Sequence, residues 1–158
     1  MTTLPAPTSL VFSIARGIVA GVAGTVVMSA FQKFVEMPIT KRPPSFAPAD
    51  FAERILPVHP TTARGRSRLN WATHFALGKL WGAAYGVAAH SGFRGVRGIT
   101  VVFATVYTTD VALNTALGLY NPRKWSTKDW AVDLIDKFVQ AAATGVIYDH
   151  ALSRSVKR

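Results

Sequence analysis

Residues Asn70–His90 read NWATHFALGKLWGAAYGVAAH, with Lys79 as the single formal charge. Gly78, Gly82 and Gly86 stand four apart, which places them on one face of a helix. Inside a helix in water each would cost about 1 kcal/mol relative to alanine. In a bilayer the same spacing makes a flat groove that a neighbouring backbone can enter. The stretch also meets the length of about 20 residues that a bilayer span requires. We read it as a transmembrane helix that packs through its glycines.

Working outward, three more segments fit the same pattern. Gly17–Gln32 is uncharged between Arg16 and Lys33, and it carries Gly17 and Gly21 at the same spacing, continued by Thr25 and Ser29. Gly98–Tyr120 contains one charge, Asp110. The last apolar run, to Tyr148, follows the polar group Asp129, Asp133, Asp136, Lys137 and Gln140. Ser126 and Asp129 have the spacing of a capping box that opens this last helix. Pro38 and Asn121-Pro122 are the stop signals for the first and third helices. The expected helices span about 10–37, 69–90, 96–120 and 127–153. No segment shows strand periodicity and no repeat is present. The fold expected is all-α, a four-helix transmembrane bundle in a single domain over 1–158.

Composition agrees with this reading. The chain has 158 residues, 49% hydrophobic and only 16% charged, against about 25% charged in ordinary soluble domains. There is no cysteine, which removes disulfides and thiolate metal sites. A net charge of +10 would suit nucleic acid. The basic residues, however, lie in connections and the tail, between apolar segments that lack the polar face of a soluble helix. A nucleic-acid-binding domain is therefore the weakest alternative. The N-terminus has no basic leader and Arg16 interrupts its apolar run, so the first helix is expected to stay in the mature protein.

Pro38–Leu69 reads as a long, basic, proline-rich loop. Arg64, Arg66 and Arg68 within it are candidates to contact anionic lipid head groups. Residues 48–56 could form a short interfacial helix with Phe51 and Ile55 on one face, or a polar loop. The short Ser91–Gly95 connection makes helices two and three an antiparallel hairpin. Basic residues number nine on the side of loops one and three and six on the other side. The positive-inside rule then puts loops one and three in the cytoplasm and both termini outside. Trp71, Tyr120, Trp125 and Trp130 mark the membrane edge on the loop-one side.

A lone Lys or Asp at a span's centre costs about 2.5–3.5 kcal/mol, against about 0.3–0.6 returned by each apolar neighbour. Counted from Arg94, Lys79 is 94 − 79 = 15 residues before and Asp110 is 110 − 94 = 16 after. His74 and Asn114 are each 20 away on opposite sides. The expectation is a polar seam pairing Lys79 with Asp110 and His74 with Asn114. It serves either as a register lock or as a proton or ion relay. A second polar cluster comprises Asp133, Asp136, Lys137 and Gln140, and Glu36 is placed to neutralise a loop arginine. No nucleophile stands near His74 at a catalytic spacing, so no enzyme activity and no cofactor is expected. The leading functional class is a structural or assembly protein that contacts lipid, a second copy or another membrane protein. The alternative is a small proton- or ion-coupled transporter or channel.

The order Glu36-Met37-Pro38, Arg42-Pro43-Pro44, His74-Phe75, Gly82, Tyr85-Gly86 and Gly118-Leu119-Tyr120-Asn121-Pro122 resembles the YagU-like family of uncharacterised bacterial inner-membrane proteins. In place of a histidine in that family's last helix, this chain has Lys137 or Phe138. The resemblance implies an inner-membrane location and a multi-pass topology, and no reaction.

Overall fold

The structure is a computed structural model that describes residues 9–152. The expected end of the last helix at 153 and the basic tail residues Arg154, Lys157 and Arg158 lie outside the described residues. About 83% of the described residues are helical, and they contain no strand.

Helix α1 (Leu10–Thr40) runs for 31 residues, about 46 Å at the usual rise. Ser9 caps it by accepting from the Phe12 N–H at 3.3 Å. Pro38 does not end it. A proline ring clashes with the carbonyl four residues back in a regular helix. Here Gln32–Glu36 form a π-helical turn and the Met37 N–H reaches Gln32 O, which widens the helix just before Pro38. The chain stops at Lys41, whose φ of 55° is left-handed.

Helix α2 (Ala47–Ile55) is the short helix read at 48–56, and it is fastened rather than free. Ala49 and Ala52 are buried against the next helix. The Ala49 N–H donates to Asn70 Oδ1 at 3.1 Å, and Asn70 Nδ2 donates to Ser45 O at 3.3 Å. Helix α3 (Ala63–His90) starts six residues earlier than expected, because the Thr62 hydroxyl caps it by accepting from the Gly65 N–H at 3.0 Å. The loop is correspondingly short, and Arg64, Arg66 and Arg68 sit on the helix.

Helix α4 (Gly95–Ala116) follows a tight turn with Gly92 at φ 90°. It ends before Asn121-Pro122. Gly118 takes φ 75°, its N–H reaches Thr115 O at 3.0 Å, and the Leu119 N–H reaches Asn114 O at 2.9 Å. This is a Schellman stop, which glycine adopts without strain. Helix α5 (Thr127–Val146) opens on the capping box of Ser126 and Asp129 and continues through the π-helical turn Ile147–Leu152.

Helix α1 lies between α3 and α5, and α4 closes the bundle against both of those helices. Glycines set the α1–α3 spacing. A Cβ built on Gly21 would stand 2.8 Å from Gly82 Cα, and one on Gly17 would stand 3.0 Å from Gly86 Cα. Helices α3 and α4 part instead, leaving an apolar groove of about 390 Å³ lined by residues such as Ala84, Val87, Val101 and Val106.

The interior combines an aromatic core around Trp81, Tyr85 and Tyr148 with small and polar side chains, while much of the outside is apolar. Ser13, Thr25, Asn114, Asp136, Gln140 and Thr144 are buried, whereas Val11, Leu80 and Val96 are 77%, 63% and 80% exposed. Buried polar groups and exposed large apolar side chains are the two departures from a water-soluble pattern that carry information. Two helices, α1 and α4, are long and apolar enough to cross a membrane. Helices α3 and α5 fall below that mark.

Candidate functional site

Two charge clusters, one buried around its carboxylates and one half-buried, occupy the end of the bundle that carries α2 and the α4–α5 connection. In the first, Arg42 Nη2 lies 3.1 Å from Glu36 Oε2 and 3.2 Å from Asp136 Oδ2. The π-helical turn brings Glu36 inward, and the left-handed Lys41 folds Arg42 back over it. Thr40 Oγ1 donates to Glu36 Oε1 at 2.6 Å and Gln32 Nε2 donates to Asp136 Oδ2 at 2.7 Å. The carboxylate side chains are 4% and 6% exposed and Arg42 is 33% exposed, so one guanidinium holds two acids that water barely reaches.

In the second, Lys137 Nζ lies 2.6 Å from Asp110 Oδ2 and 2.8 Å from Asp133 Oδ1. Its ammonium also stands over the rings of Tyr107 and Tyr120, at 5.4 and 5.3 Å, where the π faces add attraction. Asn114 Nδ2 donates to Asp110 O at 2.9 Å and Oδ1 at 3.1 Å. The two clusters adjoin through α5 and together hold four acids and two cations.

These contacts replace the expected seam. Lys79 does not meet Asp110, because it faces outward and is exposed, while Asp110 turns to α5. His74 does not meet Asn114. Its Nε2 shares a 3.0 Å hydrogen bond with Ser29 Oγ on α1. The physical reason is the glycine face: Gly78, Gly82 and Gly86 commit α3 to α1, so α3 and α4 cannot share a polar face along their length. The depth count itself works on the other hairpin. About Arg123, Asp110 is 123 − 110 = 13 residues before and Lys137 is 137 − 123 = 14 after.

Asp133 and Lys137 do pair along α5, at i,i+4. Gln140 leaves that cluster and bridges to α1, donating from Nε2 to Gly21 O at 3.2 Å and Thr25 Oγ1 at 3.1 Å. Arg66 is not free for lipid. It bonds Asp50, lies 3.2 Å from Glu53 Oε1 and covers the Phe46 ring, which clamps α2 to α3. Arg64 and Arg68 remain exposed. Asp129 precedes the apolar run of α5 and is exposed, and two hydrogen bonds from Ser126 hold its carboxyl below the usual carboxylate value. Its capping contribution is present at neutral pH and is lost as pH falls through that lowered value.

A contact unforeseen in the sequence closes the opposite end. Tyr85 Oη donates to Asp149 Oδ2 at 2.5 Å, and the same oxygen accepts the Gly95 N–H at 2.8 Å. A carboxylate from α5 thus caps the positive end of α4. Tyr85→Phe is expected to destabilise the protein by about 1–3 kcal/mol through the partly unsatisfied carboxylate, read as a lower unfolding midpoint in detergent.

No family model, curated protein or solved structure matches the chain. The fold and the clusters define an all-helical bundle with an apolar exterior and buried ion pairs.

Proposed function

We propose that the chain is an integral membrane protein with four spans, α1, α3, α4 and α5, and that it acts as a structural or assembly component through lipid and partner contacts. The observation that carries this reading is the apolar exterior, with Val11, Leu80 and Val96 among many exposed large side chains, set over an interior that buries Asn114, Asp136 and Gln140. A bilayer rewards that arrangement because lipid, not water, bathes the outer face. Arg42 and Lys137 each bridge two acids from different segments, which suits a register lock. The resemblance to YagU-like proteins and the charge bias support a bacterial inner-membrane location, with α2 and the α4–α5 connection on the cytoplasmic side. After cell lysis the protein should sediment with membranes, resist alkaline extraction and need detergent for recovery. Recovery in the soluble fraction overturns the reading and favours the basic nucleic-acid-binding alternative.

Lipid contact falls to Arg64 and Arg68, which are four apart on one face of α3. Replacing both with alanine is expected to weaken binding to anionic vesicles in a salt-sensitive way, while Arg66→Ala should instead loosen α2. Equal binding by the parent and the Arg64/Arg68 double variant counts against this contact.

Proton- or ion-coupled transport is the second reading. The excess of two carboxylates over cations in the clusters favours it, with Asp110, Asp133 and Asp136 in the place first given to Lys79 and Asp110. It predicts gradient-driven flux in proteoliposomes that Asp136→Asn reduces. Absence of flux in the parent protein removes it.

A further inference from the structure

Lys79 is the unexplained charge. It stands midway in its apolar stretch, 79 − 68 = 11 residues from Arg68 and 90 − 79 = 11 from His90. That is about 16 Å of helix to either charged end. The neighbouring Gly78 faces Gly21, itself in the middle of the Leu10–Phe31 part of α1. Lys79 is exposed, and among the described residues it has no hydrogen-bond or ion-pair partner. Snorkelling serves residues near helix ends, not one at this depth. Resting on the four-span reading, the position puts an unpaired ammonium against hydrocarbon.

We propose that the outward face of α3 around Lys79 receives a transmembrane helix of another protein, one that carries a carboxylate at mid-membrane. The exposed Ala72 and Ala76 and the half-buried Ala83 stand at offsets of seven, three and four from Lys79, beside the exposed Leu80. Small side chains let a second helix come close enough for an interhelical ion pair. A second copy of this chain cannot supply the acid. All eight acids are already engaged: Glu36 and Asp136 on Arg42, and Asp50 and Glu53 on Arg66. Asp110 and Asp133 hold Lys137, Asp129 caps through Ser126, and Asp149 binds Tyr85 and the Gly95 N–H.

The test uses the full chain in phosphatidylcholine vesicles, with insertion first established by flotation. A chain that fails to float with the vesicles overturns the four-span reading as well as this one. A donor dye is attached at a single introduced cysteine. An acceptor is placed on a synthetic leucine-rich transmembrane peptide that has either Asp or Leu at its centre. Energy transfer should report at least tenfold tighter association with the Asp peptide. Lys79→Met should remove the preference and Lys79→Arg should keep it. Equal association of the two peptides, or a preference that survives Lys79→Met, overturns the proposal. So does transfer between two copies of the chain that Lys79→Met abolishes, which makes the occupant a second copy. Association that follows anionic lipid content and ignores the peptide's Asp assigns Lys79 to head groups and also overturns it.

Discussion

Leucine at Gly82 is expected to abolish the folded bundle. A Cβ at Gly82 would stand 2.7 Å from the carbonyl carbon of Gly17 and 2.8 Å from the Cα of Gly21. Both are backbone atoms of α1 and cannot rotate aside as a side chain would. Accommodating the leucine means moving α1 and α3 apart along their whole seam. That also strains the Ser29–His74 bond and the Gln140 bridge that holds α1 to α5. Overpacking costs about 1–3 kcal/mol where neighbours can shift. Here they cannot, so the effect belongs at or beyond the top of that range, within a total stability of about 5–15 kcal/mol. The measurement is the monodisperse fraction in size-exclusion chromatography and the thermal midpoint, both in detergent. Ala76→Leu, on the outward face, should change neither. A Gly82→Leu protein as stable as its parent would contradict the packing.

The second large effect is expected from Lys137→Met. The variant leaves Asp110 and Asp133 without their shared ammonium, and removing one partner of a buried ionic group costs about 3–5 kcal/mol. Lys137 is 18% exposed, so water offsets part of this and the lower end of the range applies. Adding Asp110→Asn and Asp133→Asn to the variant should recover most of the loss, because no orphaned charge remains. Lys79→Met, by contrast, removes a charge that has no partner among the described residues and should leave the unfolding midpoint unchanged or raised. Equal losses from Lys137→Met and Lys79→Met would contradict the assignment of the two lysines.

The contrast between these lysines marks what was legible in the sequence. Spacing along a helix identified the capping box at Ser126, the i,i+4 pair of Asp133 with Lys137, and the glycines at intervals of four. Counting residues from a turn gives depth, and depth alone made Lys79 and Asp110 look like partners. It does not give the direction a residue faces, and that direction follows from which helix claims the glycine face. Glu36 does take a loop arginine, as its position implied. That the arginine is Arg42 and that Asp149 is engaged carry no such signal, for a related reason. Arg42 reaches the site through the left-handed Lys41 that ends α1, and Asp149 lies beyond the regular part of α5, in a π-helical turn. Neither geometry leaves a periodic signal. The stops at Lys41 and Gly118 show the same limit, since prolines nearby were the louder signals and the helices ended elsewhere.

The absence of cysteine provides a clean background for the most direct test of the central claim, four spans. Single cysteines are introduced at Arg54, Ser91, Lys124, Val19 and Val101, all exposed positions, and probed with a membrane-impermeant maleimide on sealed vesicles of known orientation. Positions 54 and 124 should label from one side, 91 only from the other, and 19 and 101 from neither until detergent is added. Labelling of all five positions from the same side would contradict the account.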